Sequence, residues 1–172
     1  MRFAFLAVIA GVLGTNPIAT AAHAQNSTDP PQGQHAILIV FGRGVQTYVC
    51  QRANGAPQWV FKGPEATLYD AGSAKVGTHG AGPTWMYKDS SSVKGEVVRQ
   101  NPAPEPGAIP WLLLKAASVE GNGILTKVEF IRRSDTHGGV ASTAGCDLQH
   151  LNTVSRIPYT ATYTFYRMPA SD

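Results

Sequence analysis

Four histidines follow residue 24: His35, His79, His137 and His150. An imidazole titrates near neutral pH and ligates metals, so each is a candidate acid, base or ligand. No two of them stand at i, i+2 or i, i+4, so the local spacing of a metal-ligand pair is missing. Two lie in glycine-rich stretches, Gly77-Thr78-His79-Gly80-Ala81-Gly82 and Asp135-Thr136-His137-Gly138-Gly139. Glycine allows close approach of a backbone to a partner, and Asp135 could orient the His137 ring. Read as loops, these stretches make His79, Trp85, Asp135 and His137 the candidate binding surface. A metal-assisted or acid–base enzyme would need the two histidine loops to converge. Apart, they are two solvent-exposed loop histidines. No catalytic set is assembled by spacing, and neither a metal nor a cofactor is indicated.

Other motifs dissolve on inspection. Ala36 to Phe41 followed by Gly42-Arg43-Gly44 imitates the start of a dinucleotide fold, but Thr47 stands where the third glycine belongs. Val45 to Val49 continues as a strand, so no helix N-terminus gathers free N–H groups around a pyrophosphate. The expected structure there is a β-turn between two strands, which argues against a nicotinamide dehydrogenase. Ser91-Ser92-Val93-Lys94 has Ser-x-x-Lys spacing, but Gly95 and Val97-Val98 follow it and no helix is predicted. Trp59, Trp85 and Trp111 could form a platform for sugar rings. Each falls in a predicted strand, where burial as a core anchor is the simpler expectation.

The chain has 172 residues, with 14 Lys+Arg against 11 Asp+Glu, 43% hydrophobic and 15% charged. That balance excludes disorder. The basic residues are scattered and Arg132-Arg133 is the only adjacent pair, read as ordinary surface charge and not as the clustered face of a nucleic-acid binder. Arg2, the apolar run Phe3 to Leu13 and Ala22-His23-Ala24 have the order of an export signal with its small-x-small cleavage site. The run is about half the roughly 20 residues of a membrane span. The expected organisation is a signal peptide over 1–24, a flexible polar and proline-rich arm over 25–34, and a single domain over 35–172. Removing residues 1–24 leaves 148, and the loss of Arg2 takes the net charge from +3 to +2. Asn26-Ser27-Thr28 matches a glycosylation acceptor. In an oxidising compartment the even pair Cys50 and Cys146 reads as a disulfide.

The elements that must carry these residues are strands. Ile157 to Tyr166 alternates: Ile157, Tyr159, Ala161, Tyr163 and Phe165 on one face, Thr160, Thr162 and Thr164 on the other. Ile124 to Arg133 reads similarly, with Val128 and Phe130 inward. Val45 to Gln51 places Tyr48 and Cys50 on one face. Shorter candidates are 58–61, 67–69, 83–87 and 93–98. Ile109 to Ala117 reads as a buried strand, with a short helix as the alternative. Turn clusters recur about every 8–12 residues, the rhythm of an antiparallel β-sandwich, or alternatively a β-barrel, with at most one short helix.

Gly44 to Cys50, Trp59-Val-Phe61, Pro64-Glu-Ala66, Gly77 to Trp85, Ile109 to Leu114, Thr136 to Gly139, Cys146 and Ile157 to Tyr166 occur in an order that resembles the DUF3455 family of exported bacterial and fungal proteins. The resemblance covers roughly residues 35–167. One departure is Asp89-Ser90-Ser91, where the family has Asp-Gly-Ser, and serine reaches a positive φ less easily than glycine. The resemblance implies no established activity, so it brings no catalytic residues. The expectation is an exported, periplasmic or extracellular, non-catalytic domain that binds an envelope or extracellular ligand, with carbohydrate as one candidate.

Overall fold

A computed structural model describes residues 27–170. The expected signal peptide, its expected cleavage site after Ala24 and Asn26 of the glycosylation triplet lie outside the described residues. Eight strands follow in chain order: β1 (His35–Ala53), β2 (Ala56–Tyr69), β3 (Lys75–Gly80), β4 (Thr84–Tyr87), β5 (Ser92–Asn101), β6 (Trp111–Glu120), β7 (Phe130–Gly138) and β8 (Val154–Arg167). Each pairs antiparallel with the next, and β8 returns to pair with β1. The strand order is that of a closed barrel, named from sequence as the alternative to a sandwich. The all-β antiparallel class is as expected, and the one helical element among the described residues is a 3-10 turn at Ile124–Lys127.

Period-two alternation builds the interior. On β8, Tyr159, Ala161, Tyr163 and Phe165 are buried while Thr160 is exposed. They meet Val40, Leu68, Val76, Trp85, Val93, Leu114 and Ile131 in one core. Leu125 of the 3-10 turn and Val128 belong to that core and plug one end of the barrel, next to the Ser92–Glu120 pairing. The Ile124 N–H donates to Asp89 Oδ2 (2.8 Å) and the Leu125 N–H to Ser91 Oγ (3.1 Å), which fixes the plug.

Three local expectations are corrected. The β-turn at Gly42-Arg43-Gly44 is continuous strand within the 19 residues of β1. Its glycines serve close approach, since a Cβ at Gly44 would stand 2.0 Å from the Glu65 carbonyl oxygen and one at Gly42 2.7 Å from the Tyr163 ring. The strand expected over Ile124 to Arg133 begins only at Phe130, and Ile131 is the residue fully buried there. The candidates 58–61 and 67–69 fuse into β2. Ile109 to Ala117 resolves as strand from Trp111 onward.

Cys50 and Cys146 are disulfide-bonded, with Cα atoms 5.3 Å apart across a separation of 96 residues. The bond ties the long segment between β7 and β8 to the C-terminal part of β1, where Cys50 is fully buried. Residues 27–34 lie against the barrel: Arg132 meets Asp29 at 3.2 Å, Arg99 donates to the Ser27 carbonyl, and Thr28 is buried. No helix of the described residues is long and apolar enough to cross a membrane.

Candidate functional site

The glycine-rich stretch around His79 is strand β3, not a loop. Gly77 is there because the chain passes against β4, where a Cβ would stand 2.2 Å from the Met86 carbonyl oxygen. His79 therefore sits in the sheet, opposite Trp85, and its side chain is only 3% exposed. The imidazole stacks on the Trp85 indole at 4.4 Å with the planes 9° apart, and Tyr163 closes edge-on at 5.0 Å. Nδ1 lies 2.9 Å from the Thr84 carbonyl oxygen, which can only accept, so Nδ1 carries the proton and Nε2 the lone pair. Burial lowers the pKa from 6.5 to about 4, against the hydrogen bond to Thr84, and the Arg133 charge lowers it further. The ring is neutral at pH 7 and a weak base.

The other pair from the sequence reading lies elsewhere. Asp135 and His137 are exposed on β7 and line an outer cleft with Phe41, Arg43 and Thr160. Asp135 has φ 48° in the bulge between Ser134 and His137, and its carboxylate accepts from Ser134 Oγ at 3.0 Å. His137 Nδ1 pairs instead with Glu105. His79 and Trp85 thus belong to the inside of the barrel, and Asp135 and His137 to its outer surface. No group of three or more His, Cys, Asp or Glu side chains among the described residues could hold a metal ion. The tryptophans are also separate: Trp85 is in the core, Trp59 donates to the Ala144 carbonyl, and Trp111 lies under Arg132.

At the end of the barrel opposite the plug, near the Asn101–Trp111 pairing, is a cavity of about 330 Å³. Six strands contribute to it. Gln46, His79, Ile109 and Leu112 form a buried floor, while Phe61 and Val97, each about half exposed, belong to the rim with Lys62. The register shift between β1 and β2 at Thr47/Tyr48 leaves Lys62 without an opposite residue, the kind of bulge that re-aims side chains at a barrel mouth. Size and lining match a small-molecule site: mostly apolar walls with a few inward polar groups.

Arg133 is one of those groups, and it was not singled out from sequence. It lies on the inner face of β7 with Ile131, two residues away, while Arg132 faces outward to Asp29 and Trp111. Its Nε and Nη2 donate to the Pro110 carbonyl at 3.0 and 2.8 Å, and the Tyr163 and Tyr159 phenols lie in its surroundings. Burial lowers its pKa from the ordinary guanidinium value. No carboxylate forms a salt bridge with it among the described residues. Burial raises the pKa of Tyr163 and Tyr159, so neither phenol supplies a counter-charge. Gln46, 2% exposed, has an Nε2 with no hydrogen-bond partner. Alternation carries the missed signal. Adjacent residues on a strand face opposite sides, so one guanidinium of Arg132-Arg133 must point into a closed sheet.

No curated protein and no solved structure matches the chain. A family model described as protein of unknown function, DUF3455, matches residues 30–167, which span every strand and the whole cavity, and the chain belongs to that family.

Proposed function

We propose that this is an exported, non-catalytic binding domain whose ligand is a small molecule with an apolar body, seated in the barrel cavity. The observation that carries the reading is the cavity itself: apolar walls over a floor from which Gln46, His79 and Arg133 present polar groups. The ligand reading departs from a sugar platform, because the three tryptophans share no surface. A catalytic reading lacks its constellation, since His79 faces the interior with a weakly basic ring and His137 stands outside with Glu105.

Export is supported by the order of residues 2–24 and by a disulfide, a bond that persists in oxidising compartments. The mature chain is expected to begin at Gln25. N-terminal sequencing of the secreted protein checks this, and retention of Met1 to Ala24 would defeat it. The cavity reading is tested by titrating the disulfide-bonded protein with 1-octanol while following backbone amide NMR shifts. Saturable shifts at Gln46, Val97 and Leu112 are expected. Val97→Trp, a change at the exposed rim, should block them. Shifts that do not saturate, or that survive in Val97→Trp, refute the site.

A further inference from the structure

We infer that the cavity takes a monocarboxylate with an apolar body, its carboxylate seated against Arg133 beside the amide of Gln46. This deepens the cavity reading and rests on it. Arginine remains protonated even when withdrawn from water, so the inner wall holds a full positive charge. The hydrogen bonds of that guanidinium go to a neutral group, the Pro110 carbonyl, and no carboxylate pairs with it among the described residues. Charge-assisted hydrogen bonds are the strong ones, and the planar guanidinium suits a planar carboxylate. The Gln46 Nε2 donor, buried without an acceptor, supplies a second N–H in the same cavity.

The charge count favours a monoanion. The second cation of the lining, Lys62, sits at the rim and donates to Gln51 at 2.7 Å, so a dianionic head on the floor would leave one charge unmatched. The remaining lining of Phe61, Pro64, Val97, Ile109 and Leu112 suits a hydrocarbon body.

The probes are octanoate and 1-octanol, which share a chain length and differ in the head. Calorimetric titration of the wild-type, disulfide-bonded protein at pH 7 and low salt should show octanoate binding at least tenfold tighter. Gln46→Glu places a competing carboxylate in the cavity, and Arg133→Met removes the charge. Each should weaken octanoate at least tenfold more than it weakens 1-octanol. The wild-type comparison alone decides the matter if either variant fails to fold. Equal affinity for the two probes overturns the carboxylate assignment and leaves the cavity reading standing. Binding of neither probe overturns both.

Discussion

Lowering the pH should destabilise this protein through His79 before the carboxylates contribute. Burial keeps the folded ring neutral down to about pH 4, whereas the unfolded chain takes up the proton near 6.5. Between those values the unfolded state binds more protons, so stability is complete above pH 6.5 and is lost as pH falls toward 4. The gap of about 2.5 units corresponds to about 3 kcal/mol, of which about 2 kcal/mol is lost by pH 5. Glu65 and Asp147 are held below the usual carboxylate range, chiefly by hydrogen bonds from Arg156 and His150, and act lower on the scale. The assay is urea unfolding of wild type and His79→Gln at pH 8, 7, 6 and 5, followed by tryptophan fluorescence. Glutamine can still donate to the Thr84 carbonyl but does not titrate, and the lost stacking on Trp85 lowers stability equally at every pH. The difference between the two proteins should therefore shrink by about 2 kcal/mol from pH 8 to pH 5. A constant difference would show that the ring is not held neutral, and the argument from burial would fail.

Other perturbations test the frame around the cavity. Ser90 has φ 65°, a left-handed conformation unfavourable for serine. Ser90→Gly should raise stability by up to about 1 kcal/mol in urea unfolding, and a loss would refute the strain. Replacing Cys50 and Cys146 together by alanine should cost about 2–4 kcal/mol, because the bond closes a loop of 96 residues in the unfolded chain. An unchanged urea midpoint counts against that constraint. Gly44→Ala should separate β1 from β2, since its Cβ would overlap the Glu65 carbonyl oxygen at 2.0 Å. A loss of more than about 2 kcal/mol is expected, and wild-type stability in this variant contradicts the close approach.

What was legible in the sequence follows the range over which each signal acts. Alternation is local, and it placed Tyr159, Ala161, Tyr163 and Phe165 on one buried face of β8. Compartment and number sufficed for the Cys50–Cys146 bond. Glycine carries two meanings that are identical in sequence: a turn, or a strand crossed closely by another. Gly42, Gly44 and Gly77 have the second, and what decides it is the Tyr163 ring and the Glu65 and Met86 carbonyls, which arrive from β8, β2 and β4. The same long-range pairing moves His79 inside and leaves His137 outside. At Asp89-Ser90-Ser91 the signal came from the resemblance, in which glycine stands where this chain has Ser90, and Ser90 does take a positive φ of 65°.

Arg133 offers the sharpest division between a residue kept for the fold and one kept for a ligand. Eight strands leave an interior that side chains can fill, as Trp85, Tyr163 and Phe165 do toward the plugged end. Withdrawing a charge from water costs several kcal/mol unless an opposite charge accompanies it, and the fold provides Arg133 with none. Against that cost stand its two hydrogen bonds to the Pro110 carbonyl, each worth about 1.5–3 kcal/mol at most for a charged donor. Methionine fills similar space and brings no charge. Arg133→Met should therefore leave stability within about 1 kcal/mol of wild type, or raise it. Urea unfolding at pH 7 in the absence of any ligand makes the measurement. A loss above about 3 kcal/mol would mean that the guanidinium holds the Pro110 segment to β7, and that the barrel keeps it as a brace.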